Sequence, residues 1–231
     1  MSALAASNQD SFEWRENFIA TFLERDLLQW AGFNPATMRR LWQMLAHLNG
    51  QTANYSRLAS ALGVSATMVR NYVDLLASTF MLDIIPPHHS NLRKRLVKAP
   101  KVYLNDTGIT AALLDLHNFE SLIGHPGFGA LWEQAVLANI RALFPRANIT
   151  HYRSSHGAEA DFIVSLERRT CVVECKASLS PTLSRGFFNA LDDIRPSRAT
   201  VVIPATQGWP MQAGLDCVGM DELPALFEQT E

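Results

Sequence analysis

Asp161, Glu174 and Lys176 are the residues whose types and spacing point most directly to chemistry. Ala160 to Leu166 alternates as a strand, with Glu159, Asp161 and Ile163 on one face. Thr170 to Ala177 alternates as the return strand, with Val172, Glu174 and Lys176 on one face. Glu167-Arg168-Arg169 turns the chain between them. With an even number of residues in that turn, direct partners have an odd index sum. Asp161 then lies beside Lys176, on the face that also carries Glu174. Two carboxylates held that close suit a hard divalent cation such as Mg²⁺, with Mn²⁺ as a substitute, through oxygen ligands. Such a cation stabilises a pentavalent phosphate and helps to generate hydroxide, while a lysine orients water or offsets developing charge. The same residues also read as a salt-bridge ladder on an exposed hairpin face, and the hairpin alone leaves both readings open. Glu133 joins the set from a helix predicted over Leu131 to Phe144. Its neighbours one and two turns on are Leu137 and Ile140, so it leaves an apolar face, where a carboxylate needs a partner or a task.

The elements before this hairpin read as helical. Phe12 to Leu28 carries an apolar stripe, and Thr37 to Asn49 a second one through Leu41, Met44, Leu45 and Leu48. A short helix, Tyr55 to Leu62, is followed by Gly63-Val64-Ser65 and a longer helix to about Phe80, with Met68, Tyr72, Leu75 and Leu76 inward. Gly63 permits positive φ and Ser65 caps the next helix, which is the helix-turn-helix pattern. Met81 to Ile85 and Val102 to Leu104 predict two strands around a loop, the wing of a winged helix over residues 35–105. Asp106 caps a short helix over Ile109 to Leu114, and Glu120 to Gly129 reads as a loop. The predicted wing is basic through Arg93, Lys94, Arg95, Lys98 and Lys101, which suits phosphate contact. It equally suits a solvated loop or an acidic partner. The longer helix adds only Arg70 as a cation, so backbone or shape contact is expected there rather than base reading.

Composition limits the rest. A net charge of −2 excludes a globally basic nucleic-acid coat, so any such site is a local cluster. Three cysteines, Cys171, Cys175 and Cys217, cannot all pair and show no zinc spacing, which predicts a reducing, cytoplasmic compartment. No run of apolar residues is long enough for a membrane span. With neither a Walker loop nor a GxGxxG turn, no nucleotide is expected in this chain.

Asp161, the hairpin and Glu174-Cys175-Lys176, with Glu133 on a preceding helix, resemble the PD-(D/E)xK nuclease-like fold, although Ala160 stands where that motif has proline. The wider order is Glu24-Arg25-Asp26, the winged helix, Pro100 to Gly108, Trp132-Glu133, Tyr152-Arg153, Gly157 to Phe162 and Glu174 to Lys176. Over roughly residues 12–205 that order resembles the C-terminal half of bacterial and archaeal AAA-type ATPases, domain of unknown function 4143. The resemblance implies an α/β chain: a helical lead-in over 1–34, a winged-helix domain over 35–115, and a restriction-endonuclease-like domain with a central mixed sheet over 120–231. It implies Glu133, Asp161, Glu174 and Lys176 as catalytic residues, the three carboxylates as metal ligands, and Arg153 and Glu159 as further candidates. It also implies an ATPase domain upstream or in trans and DNA as a partner. The expected function is a nucleic-acid-binding or regulatory module, with a Mg-dependent DNA endonuclease as the alternative.

Overall fold

The computed structural model describes residues 7–26, 33–88, 97–212 and 214–227. Polar caps set most of its helices. Ser7 starts α1 (Asn8–Thr21), which runs on into a π-helical turn, Phe22–Asp26. Asn34 Oδ1 accepts from Thr37 N at 3.0 Å and starts α2 (Pro35–His47), with proline at the first turn where its missing N–H costs nothing. After β1 (Gln51–Thr52), Asn54 caps α3 (Tyr55–Leu62). Gly63 then takes φ 69°, a left-handed turn that closes the helix, and Ser65 Oγ accepts from Met68 N at 3.1 Å to open α4 (Ala66–Ser78). Val69, Tyr72, Val73, Leu75 and Leu76 face inward on α4, whereas Met68, predicted inward, is exposed. Strands β2 (Leu82–Ile85) and β3 (Lys101–Leu104) complete a three-stranded sheet in the order β1-β3-β2. Asp106 caps α5 (Thr107–Leu113).

Residues 120–129 were expected as a loop, yet α6 (Phe119–Ile123) forms there. Asn118 Oδ1 accepts from Ser121 N at 2.8 Å while Ser121 Oγ accepts from Asn118 N at 3.2 Å, a reciprocal cap that holds even a short helix.

α7 (Phe128–Leu143) leads into a six-stranded mixed sheet, order β4-β5-β6-β7-β9-β8. Its members are β4 (Asn148–Arg153), β5 (Glu159–Leu166), β6 (Arg169–Cys175), β7 (Arg198–Val202), β8 (Trp209–Gln212) and β9 (Leu215–Val218). The first three run as an antiparallel meander, and β7 joins β6 in parallel after the crossover helix α8 (Arg185–Ile194). Phe187 and Ala190 of α8 pack with Ile163, Val172 and Val201. Trp132 Nε1 donates to the Val202 carbonyl at 3.0 Å, tying α7 to β7. The β8–β9 hairpin was not predicted, because its outer strand contains Pro210, which is tolerated only at a sheet edge. A 3₁₀ helix, Met220–Phe227, ends the described chain.

The chain divides into two units that are interleaved in sequence. The first holds residues up to Ile84 together with Val102–Leu131, and the second holds Ile85–Lys101 together with Trp132 onward. This departs from the contiguous boundaries expected at 35–115 and 120–231. The cause is backbone pairing: His151 N donates to Pro86 O at 3.0 Å, His88 N to His151 O at 2.7 Å, and Val97 N to Arg153 O at 2.9 Å. The flanks of the predicted wing loop thus run along β4 of the second unit. Arg93, Lys94 and Arg95 lie outside the described residues. No helix among the described residues is long and apolar enough to cross a membrane.

Candidate functional site

The β5–β6 turn holds two residues, Glu167 and Arg168, between the paired Leu166 and Arg169. The even loop gives the odd index sum that was expected, but the offset differs. Phe162 pairs with Val173, so continuing the register by one residue sets Asp161 opposite Glu174 rather than beside Lys176.

Asp161 is largely buried, and both its oxygens are engaged. Oδ2 accepts from the Cys175 backbone N–H at 2.9 Å, and Oδ1 accepts from Lys101 Nζ at 3.2 Å. The same ammonium donates to Glu133 Oε1 at 2.9 Å and lies 4.0 Å from Glu159 Oε1. Lys101 is 3% exposed, so its expected place on a phosphate-contacting wing is corrected: its charge is spent inside the second unit. Burial works to lower its pKa, but the carboxylates of Asp161, Glu133 and Glu159 outweigh burial and the net shift is upward. Glu133 therefore has the partner that its position on an apolar helix face required.

Glu174 sits on the buried middle of the sheet, 6% exposed. Lys176 Nζ donates to its Oε1 at 2.7 Å, while its Oε2 is buried with no hydrogen-bond partner. Burial, followed by the nearby Asp161, pushes the Glu174 carboxyl up to about 7, against the pull of Lys176 and Lys101. Lys176 is part-exposed, and Glu174 holds its pKa above the usual lysine value although burial opposes that. Arg153 and Glu159 are the outermost members, 3.7 Å apart and open to solvent. Arg70, on the outer face of α4, and Lys98 are exposed. Cys175 is buried, and desolvation raises its thiol well above the ordinary value, as expected of a core thiol.

The residues as placed do not fit a divalent ion. An ammonium already fills the position between Glu133 and Asp161. Among the described residues no three Asp, Glu, His or Cys side chains form a group that could hold a metal.

Two members of this cluster escaped the sequence reading. Lys101 was taken as a basic surface residue, although it heads the apolar run Val102-Tyr103-Leu104, the signature of a strand buried on both faces. His151 is fully buried on β4, with Nε2 3.2 Å from the Ala99 carbonyl and Nδ1 without a partner. Burial, then the charge of Lys101, pushes it down to about 4, so it stays neutral beside the ammonium.

The chain belongs to the family described as Domain of unknown function (DUF8612), whose family model matches residues 2–120. Residues 128–223 match Domain of unknown function (DUF4143), a domain found in AAA-ATPase-associated proteins. The single resemblance drawn over residues 12–205 is thus divided between two families. Among individual proteins, the chain is similar to "Uncharacterized protein Rv2008c" of Mycobacterium tuberculosis and "Uncharacterized protein Mb2031c" of Mycobacterium bovis. Each is 37% identical over 223 residues, covering 96% of this chain and 51% of the relative. The chain therefore spans about half the length of the curated relatives it matches. A solved structure, protein VC1899 from Vibrio cholerae, is similar over 95% of this chain and 54% of that one, at 13% identity and a TM-score of 0.27.

Proposed function

We propose that the chain is a nucleic-acid-binding or regulatory module of an AAA-type ATPase, built from a winged helix and a nuclease-like α/β fold. The observation that carries this reading is the α3–Gly63-Val64-Ser65–α4 arrangement with the sheet β1-β3-β2. The left-handed glycine and the serine cap fix the turn, and α4 presents Thr67, Arg70, Asn71 and Asp74 to solvent. A face with one cation among neutral and acidic groups suits contact to phosphates and groove shape more than to base edges. The association of the second match with AAA-type ATPases supports the regulatory half of the reading.

A second reading, a Mg-dependent DNA endonuclease in which the ion first displaces Lys101, draws on Glu174, whose Oε2 is buried and unpartnered next to Lys176. The two are separated by one set of titrations. Duplex DNA is added to the whole chain across a salt series and its integrity followed with Mg²⁺ or Mn²⁺ present, beside Asp161→Ala. The module reading expects salt-dependent binding, no cleavage, and a shallower salt slope when Arg93, Lys94 and Arg95 are neutralised together. Each lost phosphate contact lowers that slope by about 0.9. Metal-dependent cutting that disappears in Asp161→Ala would install the endonuclease instead. Absence of DNA binding at low salt would remove the nucleic-acid half.

A further inference from the structure

We infer that the ammonium of Lys101 is the resident cation of the Glu133–Asp161 pair, so that a divalent ion competes with it for these carboxylates instead of joining them. The inference rests on the same cluster as the reading above, and concerns what neutralises it.

The oxygen inventory carries it. Asp161 commits Oδ1 to Lys101 and Oδ2 to the Cys175 N–H, and Glu133 commits Oε1 to Lys101. A hard divalent ion collects about six oxygens, at distances far shorter than a hydrogen bond. It cannot take Asp161 and Glu133 without removing the ammonium that lies 3.2 and 2.9 Å from them. Two cations held at one enclosed pair of carboxylates repel strongly, because little water is present to screen them.

Lys101 also differs from the lysine of the motif. Lys176 is part-exposed and reaches Glu174 from two residues away on its own strand, whereas Lys101 comes from a distant stretch of chain. The backbone leading to it is fixed along β4: Val97 N donates to Arg153 O at 2.9 Å, and the Ala99 carbonyl lies 3.2 Å from His151 Nε2. The ammonium is therefore delivered by a clamped strand and not by a free surface side chain.

The test uses the whole chain and Mn²⁺ itself, with bound ion read by electron paramagnetic resonance or calorimetry. The unaltered chain should show no Asp161-dependent Mn²⁺ binding in the low millimolar range. Lys101→Met should gain affinity by about tenfold or more, the order expected when a like charge is removed at such range. Adding Asp161→Asn to Lys101→Met should abolish the gain. Binding of Mn²⁺ by the unaltered chain that is lost in Asp161→Asn would overturn the inference, as would a folded Lys101→Met that gains nothing. Should Lys101→Met fail to fold, reductive methylation of the unaltered chain decides. Without Mn²⁺, Lys98 and Lys176 should be modified and Lys101 protected. Methylation of Lys101 as complete as that of Lys98 in the absence of Mn²⁺ would overturn the assignment, as would Mn²⁺ bound through Asp161 with Lys101 still protected. None of these readouts involves DNA, so a failed DNA titration leaves the inference intact.

Discussion

Leu41 in the first unit and Lys101 in the second are buried to nearly the same degree, 0% and 3% exposed, yet they are held by different physics. Leu41 sits with Met38, Trp42, Leu45 and Leu76 in an apolar cluster, where any neighbour of fitting volume serves. Lys101 is held by Glu133 and Asp161, and only a carboxylate at hydrogen-bond distance compensates its desolvation. An apolar interior tolerates exchange of partners; a charged one is specific to its partners and fails when one is removed.

The sharpest way to break this comparison is to truncate both residues. Lys101→Met leaves two enclosed carboxylates uncompensated, a loss of about 3–5 kcal/mol. Leu41→Ala leaves a cavity and costs about 2–5 kcal/mol. Urea unfolding at about pH 8 and about pH 5 separates them. The cost of Lys101→Met should shrink on acidification, because the stranded carboxylates take up protons, whereas that of Leu41→Ala should stay put. Equal pH dependence in the two variants would mean that the Lys101 cluster is not a charge-balanced core.

A smaller effect comes from His151. Its folded value of about 4 lies below the usual histidine value, so it contributes stability that is complete above about pH 6.5 and lost as the pH falls through about 4. The whole span amounts to about 3 kcal/mol, at 1.36 kcal/mol for each unit of displacement. His151→Gln should flatten the acid limb of the stability curve over that window. An unchanged limb would assign acid sensitivity to another group. The smallest expected effect is the cap. Ser65→Ala in the first unit and Ser184→Ala in the second should each cost about 1 kcal/mol, since a cap is a local bond indifferent to the interior beneath it. Unequal costs would show that the difference between the units reaches their helix ends.

Legibility in the sequence follows the range of the interaction. Gly63 and Ser65 announce the α3–α4 turn because the bonds that fix it span three to five residues. Asp161, Glu174 and Lys176 are readable as a set because a hairpin keeps them close in sequence, though the register offset was misplaced by the assumed turn. Lys101 was not readable as their partner. It lies 32 residues from Glu133 and 60 from Asp161, and its flanking basic run argued for solvent. The β8–β9 hairpin was lost for another reason: an edge strand needs little apolar alternation, and Pro210 masked what there was.

The excursion of residues 85–101 along β4 has a consequence for heredity. The stretches matched by the two families meet between residues 120 and 128, but the folding units exchange chain at 84, 101 and 131. A cut or a gene fusion at the family border would carry off Glu133 and Asp161 and leave their ammonium behind on the other piece. A stretch beginning near residue 120 would also lack the backbone that covers β4. The two halves can be described apart, but they have to be inherited together.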